Sequence, residues 1–220
     1  MAVASISFAC SAGPSSAPAS SHRFLALGDS YTIGESVAEA DRWPNQLARV
    51  LRGRGIAVGT PEIIARTGWT TDELDAAIEA ASPRGPYALV TLLIGVNNQY
   101  RGRSAGEYRT GISRLLQRAI GFAGGDAGRV VVVSIPDWGV TPFAEGRDRA
   151  KIAAGIDAFN AVNREEAARA GAKYVDVTAI SRRGVPTFVA ADQLHPSAAM
   201  YAAWTEAIAP EATAALKASR

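Results

Sequence analysis

The chain of 220 residues is poor in the side chains that build metal centres and disulfide frameworks: it has one cysteine, Cys10, and two histidines, His22 and His195. A lone cysteine excludes an internal disulfide, and this set is too small for a structural zinc site made of Cys and His alone. A metal held by carboxylates stays open on this count. A surplus of charge is missing too. Lys and Arg number 23 against 21 Asp and Glu, leaving a net charge of +2. That is far from the basic excess of a protein that follows phosphates along DNA or RNA, so nucleic acid is not an expected partner. Long apolar runs are equally scarce. The longest, Tyr87 to Val96, is about half of the roughly 20 residues that a membrane-spanning helix needs. What is present, 48% hydrophobic and 20% charged residues, is the composition of a chain that fills one core of ordinary domain size.

Residues 1–22 carry no Lys, Arg, Asp or Glu, and Ser, Ala, Pro and Gly dominate after Cys10; that is linker chemistry. Ala2 to Ala9 is mildly apolar and leads into Cys10, but the positively charged start of an export signal is missing. A clipped export or lipoprotein signal and a plain floppy terminus both fit, so the compartment stays open between exported, lipid-tethered and cytoplasmic. The folded domain is read as 23–220.

From Arg23 onward short β-rich runs alternate with segments of helical period, the pattern of an α/β protein with a parallel sheet covered by helices on both faces. The strands are expected at Arg23–Leu27, Glu62–Arg66, Ala88–Ile94, Arg129–Ile135 and Lys173–Val177. Helices are expected where apolar residues recur on one stripe: Trp43, Leu47, Val50 and Leu51; Leu74, Ala77, Ile78 and Ala81; Ile112, Leu115, Leu116 and Ala119; Ile152, Ile156 and Phe159; Tyr201, Trp204 and Ile208. No repeat of 20–50 residues is visible, which excludes solenoids and propellers. In open parallel sheets ligands sit beyond the carboxyl ends of the strands, so the loops after each strand are the places to look for chemistry.

The first strand runs into Gly28-Asp29-Ser30-Tyr31. At the start of the following helix, unpaired N–H groups and the helix dipole favour negative charge, which suits an attacking hydroxyl and the oxyanion it creates. A serine there is also a common helix cap. A nucleophilic serine needs a base, and imidazole is the side chain best fitted to accept and return its proton. His22 precedes the first strand, at the wrong end of the sheet. His195 lies in Asp192-Gln193-Leu194-His195-Pro196-Ser197. The carboxylate three residues earlier can fix one ring nitrogen while the other faces Ser30, and Pro196 is expected at the first helical position. A histidine that merely packs against the last helix has the same spacing. After the third strand, Gly95-Val96-Asn97-Asn98 offers the Asn97 amide as an oxyanion donor, or simply a turn. After the second, Gly68 can present its N–H with no side chain in the way, ahead of a Thr70–Glu73 capping box.

Ser, Gly, Asn and Asp-x-x-His in that order resemble the SGNH, or GDSL-type, hydrolase superfamily of esterases and lipases, over nearly the whole chain from Phe24 to the last helix. The resemblance implies Ser30 as nucleophile, Gly68 and Asn97 as oxyanion donors, and Asp192 and His195 as the rest of the triad. It further implies a flavodoxin-like three-layer α/β/α sandwich with a five-stranded parallel sheet and neither metal nor organic cofactor. The strand count from periodicity agrees independently. Two positions depart from the family pattern: Tyr31 stands where Leu usually follows Gly-Asp-Ser, and Asn98 where Gly-x-Asn is usually followed by Asp. Without that acid the Asn97 loop is expected to be held differently.

Gly102-Arg103-Ser104-Ala105-Gly106 imitates the nucleophile elbow of α/β-hydrolases, but no strand runs directly into it, and Ser104 with Glu107 has capping-box spacing. Asp137 is a competitor to Asp192 as partner of the imidazole, or else a residue that fixes its own loop. Tyr31, Tyr100, Trp138 and Phe143 lie on or beside the loops that would shape a substrate pocket. The expected activity is cleavage of a small acyl or acetyl ester by a serine esterase. The rival is a non-hydrolytic module that binds a sugar or small anion in the same crevice.

Overall fold

The structure is a computed structural model and describes residues 22–217; the expectations for residues 1–21 lie outside the described residues. All five expected strands are found: β1 (Phe24–Gly28), β2 (Glu62–Ala65), β3 (Leu89–Leu93), β4 (Val130–Val133) and β5 (Lys173–Val175). They form one parallel sheet in the order β2-β1-β3-β4-β5. The central strands β1, β3 and β4 are buried along their whole length, which is why they read as unbroken apolar runs, while β2 and β5 at the edges are only partly covered.

The periodic segments become helices α2 (Trp43–Gly53), α3 (Thr71–Ala81), α5 (Ala105–Phe122), α6 (Arg149–Ala170) and α8 (Ala198–Lys217). Three helices of one turn or so, α1 (Ser30–Ile33), α4 (Val96–Tyr100) and α7 (Thr178–Ser181), were too short to show a period. The expected stripes face inward, from Trp43, Leu47 and Leu51 on α2 to Tyr201, Trp204 and Ile208 on α8. Ala81, in the last turn of α3, is exposed instead. Helices α2 and α8 pack together on one face of the sheet; α3, α5 and α6 pack on the other. The result is a three-layer α/β/α sandwich.

Because the second strand lies to one side of β1 and the third to the other, the chain changes direction between β1 and β3. Loops leaving the carboxyl ends of those two strands diverge over opposite faces and open a crevice between them. Among the described residues no helix is long and apolar enough to cross a membrane.

Candidate active site

At the exit of β1 the backbone of β3 and the start of α1 crowd Gly28: a Cβ there would sit 2.2 Å from Thr32 Oγ1 and 2.4 Å from the Leu93 carbonyl. The next residue, Asp29, is the true cap of α1, accepting the Tyr31 N–H at 3.0 Å on Oδ1. Ser30 is therefore the first residue of the helix and its hydroxyl is released from capping. Asp29 is fully buried, and among the described residues its Oδ2 accepts no hydrogen bond. Desolvation pushes its carboxyl up to about 7, against the opposing pull of the Tyr31 and Gly95 N–H groups.

Across the crevice, the Asp192–His195 turn is tight because Gln193 adopts a left-handed conformation at φ 67°. Asp192 Oδ1 accepts the N–H groups of Leu194 at 3.0 Å and His195 at 2.9 Å, and Oδ2 meets His195 Nδ1 at 2.5 Å. Partial burial alone would raise the Asp192 carboxyl. The Ser36 hydroxyl, these two N–H groups and the imidazole more than offset it, holding the group well below the usual carboxylate range. With Nδ1 engaged, Nε2 is the ring nitrogen left for the cleft that His195 and Ser30 both line. No hydrogen bond joins the Ser30 hydroxyl to the imidazole among the described residues. Contacts of this kind commonly close only when substrate is bound. Pro196 is not at the first helical position: it pairs with Val189 in an antiparallel bridge, and α8 starts at Ala198. The strand-like pairing stiffens the end of the His195 loop in place of a helical turn.

The third side of the cleft comes from the loops after β2 and β3. Gly68, at φ 88°, keeps a left-handed backbone that a side chain would strain. Asn97 donates one hydrogen of Nδ2 to the Trp69 carbonyl at 2.9 Å, and an amide has a second to give. Asn98 is buried and ties the two loops: its Oδ1 accepts the Thr71 N–H at 3.1 Å and its Nδ2 donates to Thr71 Oγ1 at 2.9 Å. The unusual amide thus makes the backbone contact that a carboxylate could make there, without a buried charge.

Ser30, Gly68, Asn97 and His195 all line one cleft of about 190 Å³. Its outer wall is aromatic. Tyr100, Trp138 and Phe143 lie with ring centroids 5.4 to 6.4 Å apart, and Trp138 is fixed by donating Nε1–H to Gln99 Oε1 at 2.9 Å. Tyr31 also lines the cleft but is almost wholly buried, its ring edge-on to His195 at 5.8 Å and to Trp204 at 6.2 Å. It backs the imidazole more than it offers surface to a ligand.

The decoys go elsewhere. Ser104 caps α5 in a reciprocal box with Glu107. Asp137 accepts the Gly139 N–H and pairs with Arg182, each at 2.8 Å, so it fixes its loop. His22 bridges to Val58 at the start of β1, away from the cleft. The sequence reading passed over Thr67, Val96 and Leu194, which complete the lining, and Ser36, which reaches Asp192. Thr67 and Val96 sit next to residues already singled out and could have been found by walking one step along each loop; Ser36 carried no such signal.

The chain is similar to several solved structures. One is TesA, with 21% identity, 88% of this chain and 99% of that one covered, and a TM-score of 0.69. Another is a single-residue variant of Axe2, an acetyl xylan esterase from Geobacillus stearothermophilus, with 18% identity, 88% and 95% covered, and a TM-score of 0.67. A third is AlinE4, an SGNH-hydrolase family esterase, with 22% identity, 91% and 99% covered, and a TM-score of 0.63. At these identities the likeness concerns the fold. No curated protein matches the sequence. The model of the GDSL-like lipase/acylhydrolase family matches residues 26–203, most of the chain and every position discussed above from Gly28 to His195. The chain therefore belongs to the GDSL-like lipase/acylhydrolase family and is a carboxylic ester hydrolase.

Proposed function

We propose that this hydrolase is a serine esterase for short-chain acyl or acetyl esters, working through Ser30, His195 and Asp192. The observation that carries the reading is the convergence of Ser30, Gly68, Asn97 and His195 on one small cleft, with the imidazole Nδ1 already bound to Asp192. Ser30 Oγ attacks the ester carbonyl as His195 Nε2 takes its proton, and Asp192 stabilises the imidazolium through Nδ1–H. Negative charge then develops on the carbonyl oxygen, where the N–H groups of Ser30 and Gly68 and the free amide hydrogen of Asn97 receive it. His195 returns the proton to the departing alcohol, leaving an acyl-Ser30 ester. Water, deprotonated by the same nitrogen, attacks that ester; the carboxylic acid leaves and Ser30 regains its hydrogen.

A cleft of about 190 Å³ favours a short acyl group. The aromatic wall of Tyr100, Trp138 and Phe143 offers apolar faces to the alcohol part. Tyr100 and Phe143 are among the few large apolar side chains exposed among the described residues. The acetyl xylan esterase with the same fold supports acetyl groups on a carbohydrate as one natural form of such a substrate.

The test is incubation with a chromogenic acetate ester and with an organophosphonate probe. Stoichiometric labelling at Ser30 with loss of turnover is expected. Ser30→Ala should lower kcat by about 10⁴-fold or more, whereas Ser104→Ala should leave it within about twofold, losing only an exposed helix cap. Absence of both labelling and turnover would favour a binding module, and loss only in Ser104→Ala would overturn the assignment of the nucleophile.

A further inference from the structure

The segment that leaves α1 touches both sides of the cleft. Helix α1 is capped by Gly34, and the N–H groups of Gly34 and Glu35 both donate to the Ser30 carbonyl at 3.0 Å, so the segment is rooted on the nucleophile's own residue. Ser36 follows with φ 66°, a left-handed backbone that serine rarely adopts. In that conformation its hydroxyl donates to Asp192 Oδ2 at 2.6 Å, across 156 positions of sequence. Its neighbour Glu35 accepts a hydrogen bond from Thr67 Oγ1, next to Gly68 on the opposite wall.

Among the described residues the other donors to Asp192 all belong to its own loop: the N–H groups of Leu194 and His195 hold Oδ1, and the imidazole meets Oδ2. The Asp192 side chain remains 31% exposed, so burial alone does not hold the carboxylate in one orientation. Ser36 is thus the contact that fixes Oδ2 from outside the loop, and it is the oxygen on which the orientation of His195 depends. Strain held in the backbone at such a point is a recognised mark of a constrained functional position.

We propose that Ser36 is a positioning residue, holding the Asp192 carboxylate so that Oδ2 is presented to His195 Nδ1 in line with Ser30. This rests on the serine-esterase reading above. Nothing in the spacing of the sequence points to it, because the contact depends on a left-handed turn after a one-turn helix.

Ser36→Gly removes the hydroxyl and also relieves the positive φ, so it separates catalysis from stability. With 4-nitrophenyl acetate, this variant is expected to lose about tenfold in kcat with KM within about twofold of the parent, since misplacement of a catalytic group acts on the transition state. Its Tm should stay level or rise. Ser36→Ala, which keeps the strained backbone, should show the same loss in kcat with a slightly lower Tm. In proton NMR, the downfield Nδ1–H resonance of His195 should broaden and move upfield in both variants. Parental kcat and an unchanged resonance in Ser36→Gly overturn the proposal, as does a loss that merely follows a falling Tm. Ser30→Ala is measured alongside: if it keeps turnover, the esterase reading falls and this assignment with it. If it is inactive while Ser36→Gly matches the parent, only the role of Ser36 falls.

Discussion

Asn98 shows how a single side chain can substitute for a charge. The loops after β2 and β3 must stay together for Gly68 and Asn97 to converge, and the buried pair Asn98–Thr71 joins them with two hydrogen bonds. An aspartate could accept from the same Thr71 N–H, and the threonine hydroxyl can turn to donate to its second oxygen. Asn98→Asp is therefore expected to keep turnover within about fivefold, because both contacts survive with the direction of one reversed. Asn98→Ala strands the Thr71 N–H in the interior and should cost about 1–3 kcal/mol of stability in urea unfolding, with a lower kcat. Equal behaviour of the two variants would show that the loops are held by something else.

The elements that position the chemistry are the shortest and one of the longest. Helix α1 is a single turn, yet capping by Asp29 directs the Ser30 side chain away from the cap and toward the cleft. Behind it, Tyr31 rests on Trp204 of α8, and Trp204 in turn meets Tyr201 edge-on at 5.2 Å. Helix α8 thus supports the imidazole from beneath while its own packing against α2 secures it to the sheet. Trp204 and Trp43 are both fully buried at that helix pair. Trp204→Ala should lower the unfolding free energy by about 3–5 kcal/mol and reduce kcat through the loosened Tyr31; urea unfolding and steady-state kinetics measure the two effects. A variant that lost stability but kept parental kcat would remove α8 from the support of the site.

For the molecule as a whole, the strand order β2-β1-β3-β4-β5 decides where the site lies, since it opens the crevice between β1 and β3 and sends α8 back under it. The same arrangement buries Asp29 at the carboxyl end of β1, inside the sheet, and gives the protein a pH response. Its carboxyl is raised from 3.8 to about 7 in the folded state. As pH rises, the unfolded chain releases this proton first, while the folded chain keeps it until about 7. The contribution is therefore full at low pH, drains away between about 4 and 7, and is level above that. Carboxylates with lowered values, such as Asp192 and Glu166, lose their stabilising effect as pH falls below their unfolded values of 3.8 and 4.5, and so contribute little change between about pH 5 and 7. Asp29→Asn keeps the capping oxygen and removes the titration. The parent should lose on the order of a few °C in Tm relative to this variant between pH 5 and 7; parallel curves from calorimetry would contradict the burial argument.

Much of this architecture is legible before any coordinates. The apolar runs of β1, β3 and β4 and the stripes on α2, α5, α6 and α8 report burial directly, because a strand covered on both faces and a helix covered on one leave different periods in the chain. The proposed trio Ser30, His195 and Asp192 is legible for another reason: its motifs resemble those of the family in order along the chain, and of two histidines only His195 follows the strands rather than preceding them. The capping boxes at Thr70 and Ser104 are local as well, with both partners within one helical turn.

Tertiary structure alone decided the contacts between segments far apart in the chain. Ser36 reaching Asp192, Asn98 bonding Thr71 and Tyr31 lying under His195 each depend on where two loops end in space. The physical reason is one of range. Burial and helix capping act on neighbours and so leave a periodic trace in sequence, whereas a hydrogen bond across the crevice is fixed by sheet order and loop shape, which no local pattern records.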